Sequence, residues 1–293
     1  MYRIGFRAMG GGCEIVLASA ARKEAKAIAA LGIKEVGRIE RKYSRYLAGS
    51  VVSRINAASV DDWIECDEET CALFDYADLL YRSSGGLFDI TSGVLRKAWD
   101  FGKAEVPAPE SLFPILKLIG WNRVERTVNS VRLPHAGMQL DFGGIGKEYA
   151  ADAAAAILYE NGIRHGYVNL AGDIRVIGPK PGGEPWTIGI QDPRNSEGMI
   201  ASIPIFSGAL ATSGDYERFF EKDGRRYCHI INPETGFPVT FWRSVTVLAP
   251  HATTAGSVTT IAMLKEPEGL KYLKESGMKY LAIDQSGKMY HND

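Results

Sequence analysis

Residues 140–149, Leu-Asp-Phe-Gly-Gly-Ile-Gly-Lys-Glu-Tyr, carry the residue types that hold phosphate. An apolar strand is predicted to end at Asp141, to turn through Gly143 and Gly144, and to enter a helix whose first turn contains Lys147. The free N–H groups and the positive dipole end of a helix start attract anions, and glycines let a ligand approach the backbone closely. The segment alone fits an ordinary strand-to-helix turn equally well, so the rest of the chain must decide between the two.

Four further segments combine small residues, an acid and a hydroxyl group at predicted strand ends. They are residues 88–93, 169–173, 211–218 and 229–236. Each segment alone fits a simple turn, because Asp, Ser and Gly are turn residues for conformational reasons. Four of them beside a phosphate-binding turn predict one shared polar pocket.

His229 is the histidine with a candidate catalytic role. Of the five histidines in the chain, only this one lies in such a polar segment at a strand end. A neutral imidazole, with an ordinary pKa of roughly 6.5, is a suitable acceptor for the proton of a hydroxyl nucleophile. The alternative interpretation is a strand histidine with a purely structural role.

The elements that must position these residues follow from periodicity. Helical spacing predicts helices over residues 21–44, 68–83, 145–161 and 252–264, and residues 45–59 are predicted to be a loop. Strands are predicted over residues 2–8, 13–18, 166–170, 173–178, 186–191, 200–206, 226–231, 244–249 and 279–283. Strands in runs with helices grouped between them predict an α+β fold of mixed, mostly antiparallel sheets packed with helices. We expect one domain over residues 1–293, built from two interleaved subdomains with a boundary near residues 120–140.

Composition excludes several classes of function. The net charge is -1 over 293 residues, with acids and bases interspersed, so no nucleic-acid partner is expected. No apolar stretch is long enough for a membrane-spanning segment or a signal peptide, which predicts a cytoplasmic protein; a leader preceding this sequence would instead indicate the periplasm. A strand–GxGxxG–helix for a nicotinamide coenzyme and a GxSxG hydrolase elbow are both missing from the sequence.

The ordered motifs resemble those of the FAD:protein FMN transferases, the ApbE-type flavin transferase family. The resemblance begins at residues 8–10 and continues through residues 38–46 and 53–56. It then takes in the four polar segments and the glycine–lysine turn, and so runs nearly from end to end.

The resemblance implies an activity and a set of site residues. Proteins of this family bind FAD and, with Mg²⁺, move FMN onto a Ser or Thr hydroxyl of an acceptor flavoprotein, releasing AMP. The FAD site is expected between the two subdomains, His229 is implied as the general base, and Mg²⁺ is expected near the Gly146 carbonyl and the Thr260 hydroxyl. The residues implied to bind the flavin nucleotide are Met9, Tyr46, Ser53, Asn56, Asp89, Thr91, Gly143, Gly144, Lys147, Asp173, Thr212, Ser213, Gly214 and Asp215.

Three positions depart from the family pattern. Gly256 stands where the family has a metal-binding Asp, Asn232 replaces another Asp, and Gly146 replaces an Ala. Mg²⁺ prefers anionic oxygen ligands, so the loss at Gly256 should weaken metal binding unless Asp173 or Asp215 compensates. Besides FMN transfer, the sequence therefore leaves open hydrolysis of FAD to FMN and AMP, and an FAD-binding protein without efficient transfer.

Overall fold

The computed structural model describes residues 1–292 as fifteen strands and seven α-helices. The helices are α1 (Arg22–Tyr43), α2 (Val51–Ala57), α3 (Glu68–Ser84), α4 (Pro109–Leu116), α5 (Gly146–Glu160), α6 (Ala252–Leu264) and α7 (Gly269–Glu275). The strands are β1 (Tyr2–Ala8), β2 (Gly11–Leu17), β3 (Ile64–Glu65), β4 (Glu125–Arg126), β5 (Ser130–Arg132), β6 (Gly166–Leu170), β7 (Asp173–Gly178), β8 (Trp186–Asp192), β9 (Asn195–Ile205), β10 (Gly208–Gly214), β11 (Phe219–Lys222), β12 (Arg225–Cys228), β13 (Trp242–Ala249), β14 (Lys279–Asp284) and β15 (Met289–His291).

Eight strands form the central sheet, in the order β1-β2-β6-β7-β10-β13-β14-β15. Every neighbouring pair in it is antiparallel. The smaller sheets, β3-β5-β4, β8-β9 and β11-β12, are antiparallel as well. The predicted α+β class with mostly antiparallel sheets is therefore confirmed.

The helices cover one face of the central sheet. α1 and α5 pack on each other beneath β2 and β6, while α6 and α7 bury their apolar side chains under β10, β13 and β14. The β8–β9 hairpin packs on the opposite face, where its buried residues Trp186, Ile188 and Ile205 meet Val176 and Leu210. Burial of alternate residues along β8 follows from the period of two of a strand.

α5 and α6 run antiparallel, and Asp152 fixes their alignment. Its carboxylate accepts hydrogen bonds from the backbone N–H groups of Ala252 and Thr253, both at 2.9 Å, and from the Thr253 hydroxyl at 2.7 Å. These are N–H groups that a helix start leaves without partners, so Asp152 acts as the cap of α6. The Arg175 guanidinium lies 3.1 Å from the same carboxylate and ties both helices to β7.

Most long elements agree with the sequence-based prediction. α1, α3, α5 and α6 lie within one or two residues of the predicted helices. The sequence Asp223-Gly224 also predicts a hairpin turn, and the β11–β12 hairpin turns at these residues, with φ of 52° and 71°. Asp-Gly suits such a turn because both positions require positive φ.

Three predictions were wrong. The apolar strand predicted to end at Asp141 is not formed, because β5 ends at Arg132 and residues 133–141 belong to no strand of the described structure. Residues 51–57, predicted as a loop, form α2, whose start is capped by the Ser50 hydroxyl accepting from the Ser53 N–H at 2.9 Å. β10 was not predicted, because its sequence of small and polar residues lacks apolar alternation, yet it lies between β7 and β13 in the central sheet.

Across residues 1–292, no helix combines the length and apolar character needed to cross a membrane.

Candidate active site

One cleft gathers residues from the start of α5, the start of β7, the end of β10 and the segment after β12. Nine of the residues predicted from the sequence line it: Asp89, Gly143, Gly144, Lys147, Asp173, Thr212, Ser213, His229 and Thr260. All four polar segments recognised in the sequence contribute to this cleft or border it. The prediction that they lie close together is confirmed, while the role of each residue stays a prediction.

The glycine turn brings the start of α5 to the cleft. The Asp141 carboxylate accepts a hydrogen bond from the Gly143 N–H at 2.8 Å, and within the described residues no side chain caps the helix at Ile145. A Cβ on Gly144 would come within 3.1 Å of the Phe88 ring, so glycine fits this position closely. The uncapped amino end of a helix is a suitable place for an anion.

Lys147 and Asp173 form an ion pair on the wall of the cleft. The Lys147 Nζ lies 2.8 Å from Asp173 Oδ2, and the Asp173 side chain is only 4% exposed. Burial alone would lower the pKa of Lys147, but the carboxylates of Asp173, Glu148 and Glu217 outweigh it and raise that pKa. Burial raises the pKa of Asp173, and the ammonium of Lys147 opposes that shift.

His229 follows β12 directly and lines the cleft as a partly buried imidazole. Burial first, and then the positive charges of Arg96, Arg218 and Lys147, lower the pKa of His229 to about 4. Its Nδ1 has no hydrogen-bond partner among the residues that the structure describes. The ring is therefore neutral at physiological pH, as a general base must be.

The hydroxyl groups at the end of β10 contact α6 and β13. The Ser213 hydroxyl lies 2.8 Å from the Thr259 hydroxyl and 3.4 Å from that of Thr260. The Thr212 hydroxyl lies 2.8 Å from that of Thr246 on β13. These contacts fix the part of the cleft wall that β10 and α6 form.

Three of the predicted residues make structural hydrogen bonds. Asn56 donates to the Leu140 carbonyl at 2.9 Å and accepts from the Leu140 N–H at 2.6 Å, which anchors the segment before the glycine turn. Asp89 accepts from the Thr91 N–H, the Thr91 hydroxyl and the Trp121 N–H, and so shapes the loop that borders the cleft.

Eight of the predicted residues lie outside the cleft lining, and Asn56 and Thr91 are two of them. Met9 donates its N–H to Glu40, Ser53 donates its hydroxyl to the Arg45 carbonyl, and Tyr46 is 74% exposed. The Asp215 carboxylate lies outside the cleft, because both of its oxygens accept hydrogen bonds from the Arg194 guanidinium at 2.7 Å. Its neighbour Gly214 and the helix residue Gly146 also lie outside the lining. Besides the nine predicted residues, the lining comprises Leu87, Phe88, Ile90, Ser92, Gly93, Leu95, Arg96, Phe101, Asp141, Glu148, Glu217, Ile230, Ile231 and Leu264.

Sequence reasoning missed four charged residues of the cleft: Arg96, Asp141, Glu148 and Glu217. Asp141 and Glu217 lay inside the motifs that drew attention to the site, so their positions could have suggested a role. Glu148 lay inside the glycine-turn motif as well, but its place in the cleft depends on how α5 packs against α6. Its Oε2 atom is buried without a hydrogen-bond partner in residues 1–292.

A cation could be held here only by a mixed set of oxygen ligands. The described residues contain no cluster of three or more His, Cys, Asp or Glu side chains able to hold a metal ion. The cleft does offer a buried carboxylate oxygen without a partner, at Glu148, and the hydroxyl of Thr260. Hard oxygen ligands of this kind suit Mg²⁺ when phosphate oxygens complete the set.

Comparison with known proteins gives the family of this chain. The ApbE family matches residues 9–282. A protein of Treponema pallidum named FAD:protein FMN transferase is 35% identical over 230 residues, which span 72% of this chain and 64% of that relative. A protein of the same name from Haemophilus influenzae is 30% identical over 261 residues, 84% of this chain and 75% of the relative.

A solved structure extends the likeness to the whole fold. The crystal structure of the ApbE protein from Thermotoga maritima superimposes with a TM-score of 0.91 at 33% identity, over 100% of this chain and 97% of that one. Both the sequence match and the superposition include the glycine turn, the polar segments and His229. This chain belongs to the ApbE family.

Proposed function

We propose that this protein is an FAD:protein FMN transferase, which moves FMN from FAD onto a Ser or Thr hydroxyl of an acceptor protein and releases AMP. The observation that carries the proposal is that His229, held neutral, lines the same cleft as Lys147 and the uncapped start of α5. The names of the relatives support the same activity.

The diphosphate of FAD would lie at the start of α5. Gly143 and Gly144 leave the backbone open to a ligand, and Lys147 and Arg96 supply positive charge in the cleft. The uncapped N–H groups of the helix would donate to the phosphate oxygens. FAD fits this arrangement by the chemistry of its anionic bridge.

The charges of the cleft also favour a divalent cation. The two cations of the lining, Arg96 and Lys147, face five carboxylates, those of Asp89, Asp141, Glu148, Asp173 and Glu217. Burial raises the pKa of four of them, Asp89, Glu148, Asp173 and Glu217. The diphosphate of FAD would bring further negative charge beside these groups. Mg²⁺, held by phosphate oxygens, the Thr260 hydroxyl and the Gly146 carbonyl, would offset it and would stabilise the negative charge that develops as the diphosphate bond breaks.

The reaction that this arrangement supports is an in-line displacement. The acceptor hydroxyl oxygen bonds to the phosphorus atom of the FMN half. The bond from that phosphorus to the bridging oxygen breaks, and AMP leaves with that oxygen. His229 takes the hydroxyl proton, and Lys147 stabilises negative charge on the phosphoryl oxygens.

The test incubates the purified chain with FAD, Mg²⁺ and a Ser- or Thr-containing acceptor peptide. Transfer adds the mass of one FMN to the peptide and releases AMP in equal amount. Release of AMP and FMN without modified peptide would show hydrolysis, and bound FAD without turnover would show a flavin-binding protein. Either result would overturn the proposed transfer.

Binding at the start of α5 is tested by Lys147→Met, with Lys97→Met as a matched control. Lys97 is exposed and lies outside the cleft. Lys147→Met should weaken FAD binding about tenfold or more, because a hydrogen bond to a charged group contributes roughly 1.5–3 kcal/mol. Equal FAD affinities of the two variants, measured by quenching of flavin fluorescence, would remove Lys147 from the site.

A further inference from the structure

Glu148 is a buried carboxylate that the protein itself does not satisfy. It lies in the first turn of α5, is only 6% exposed, and its Oε2 atom has no hydrogen-bond partner within residues 1–292. The nearby ammonium of Lys147 is engaged with Asp173. A buried polar group without a partner is costly, and an ion is one of the few features that explain its presence.

The packing of α5 on α6 places Glu148 against Gly256. Asp152 on α5 accepts a hydrogen bond from the N–H of Ala252 on α6. Because the helices are antiparallel, Glu148, one turn before Asp152, lies beside Gly256, one turn after Ala252. A Cβ built on Gly256 would lie 2.5 Å from Glu148 Cγ and 2.6 Å from Glu148 Oε1. Glu148 thus fills the space that any side chain at position 256 would need.

This is the position where the family pattern has a carboxylate on α6. In this chain a carboxylate reaches the same space from α5 instead, and it lines the cleft together with Thr260 and Asp173. We propose that Glu148 is the anionic ligand of the divalent cation in this protein. The proposal rests on the proposed function, because that function requires a cation beside the FAD diphosphate.

The sequence alone suggested Asp173 or Asp215 as the carboxylate that replaces the missing acid at Gly256, and the structure favours Glu148 over both. Asp215 is held by Arg194 outside the cleft, and Asp173 is paired with Lys147. Two buried carboxylate oxygens of the described residues have no hydrogen-bond partner, Glu148 Oε2 and Asp173 Oδ2. Asp173 Oδ2 lies 2.8 Å from the Lys147 ammonium, whereas Glu148 Oε2 has neither a hydrogen bond nor an ion pair. Its carboxylate oxygens are ligands that Mg²⁺ prefers.

The first experiment measures Mn²⁺ binding by electron paramagnetic resonance, with Mn²⁺ as the probe for Mg²⁺, with and without FAD. Glu148→Gln preserves the shape of the side chain and should weaken Mn²⁺ binding about tenfold or more, because losing even an outer partner of a metal site costs 10–100-fold. Glu217→Gln, at the exposed rim of the same cleft, removes the same charge and should weaken it much less. Equal Mn²⁺ affinity of Glu148→Gln and the unaltered protein would overturn the proposal.

The second experiment moves the carboxylate from one helix to the other. Gly256→Asp alone should lower the melting temperature, because the new side chain collides with Glu148. In the double variant Glu148→Ala/Gly256→Asp the space is free, and Mn²⁺ binding should return toward that of the unaltered protein. A double variant that binds Mn²⁺ no better than Glu148→Ala, although its circular dichroism shows it folded, would contradict the assignment.

These measurements separate the two proposals. The unaltered protein could bind Mn²⁺ and lose that binding in Glu148→Gln, yet fail to modify the acceptor peptide. This result would support the role of Glu148 and overturn the proposed FMN transfer. The protein could instead transfer FMN to the peptide while Glu148→Gln binds Mn²⁺ as tightly as the unaltered protein does. This result would support the proposed function and overturn the role of Glu148. Absence of any Mn²⁺ site in the unaltered protein, with and without FAD, would overturn the assignment of Glu148.

Discussion

At the scale of single residues, the surroundings of His229 suit it for proton transfer. Arg96, Arg218 and Lys147 place positive charge near a ring that is already partly buried, and all of these effects favour the neutral form. A histidine that was merely satisfied in a strand would have partners for both ring nitrogens, whereas Nδ1 has none in residues 1–292. The structure therefore makes the catalytic interpretation stronger than the sequence did.

We expect the pKa of His229 in the ligand-free protein to lie near 4, compared with 6.5 for an unperturbed histidine. Because the neutral imidazole is the active form, a role as base is retained above this pKa and is lost as the pH falls through it. Titration of the histidine ring signals by NMR between pH 3.5 and 8 measures this value, and His229→Gln identifies the signal. A titration midpoint near 6.5 would show that burial and the neighbouring positive charges do not lower the pKa of His229.

At the scale of secondary-structure elements, the site depends on the alignment of α5 with α6. One carboxylate, that of Asp152, satisfies the first N–H groups of α6 and meets Arg175 on β7. The start of α5 and the middle of α6 then pack against each other beside the cleft. A substitution of Asp152 should therefore also alter the packing one helical turn away, where Glu148 contacts Gly256.

Asp152→Ala should lower the free energy of unfolding by about 1–3 kcal/mol, because the cap of α6 and the ion pair with Arg175 are both lost. Urea unfolding followed by circular dichroism measures the change. Glu160→Ala removes an exposed carboxylate from the last turn of the same helix and should have little effect. Similar losses in the two variants would argue against the capping role.

The segment around Gly93 reaches the cleft only because that residue has no side chain. The Arg45 guanidinium donates to the Gly93 carbonyl at 2.7 Å and to Asp141 at 3.0 Å, and so holds this segment against the glycine turn. A Cβ on Gly93 would lie 2.5 Å from Asp141 Cβ and 2.6 Å from Arg45 Nη1.

Gly93→Ala should accordingly cost about 1–3 kcal/mol of unfolding free energy and also weaken FAD binding, since overpacking displaces the turn at the start of α5. Gly49→Ala is the matched control, because no heavy atom lies within 4 Å of its added Cβ. Thermal unfolding and flavin fluorescence measure the two effects. Retention of both properties by Gly93→Ala would show that the Arg45–Asp141 contact does not position the site.

The elements that could be predicted from the sequence are those with a strong local signal. α1 buries Ala25, Ala29, Val36 and Ile39 on one face, and this spacing is visible in the sequence. β10 could not be found in that way, because its burial comes from neighbouring strands and helices rather than from its own pattern. The place of Glu148 was out of reach for the same reason, since it depends on a contact between residues 108 positions apart.

At the scale of the whole molecule, the cleft is assembled from residues 87 to 264. Its walls come from the loop after α3, the start of α5, the end of β10 and the segment after β12, which are distant along the chain. A ligand that touches all of them links the helical layer to the centre of the sheet. Binding of FAD should thus stabilise the folded chain as a unit.

Hydrogen exchange measured with and without FAD should show protection in four separated segments, residues 87–96, 141–148, 210–217 and 228–231. The β8–β9 hairpin, which packs on the opposite face of the sheet, serves as the internal control and should not change. Protection of one segment alone would show that FAD does not span the cleft.

The contact between Glu148 and Gly256 also limits which sequences this fold accepts. Since two large residues cannot share that space, members of the family with an acid at the position of Gly256 should carry a small residue at the position of Glu148. The two positions are expected to covary, and the charge can pass from one helix to the other only through paired substitutions. A search for that exchange among homologues would reveal which of them carry the acid on α5, as this chain does.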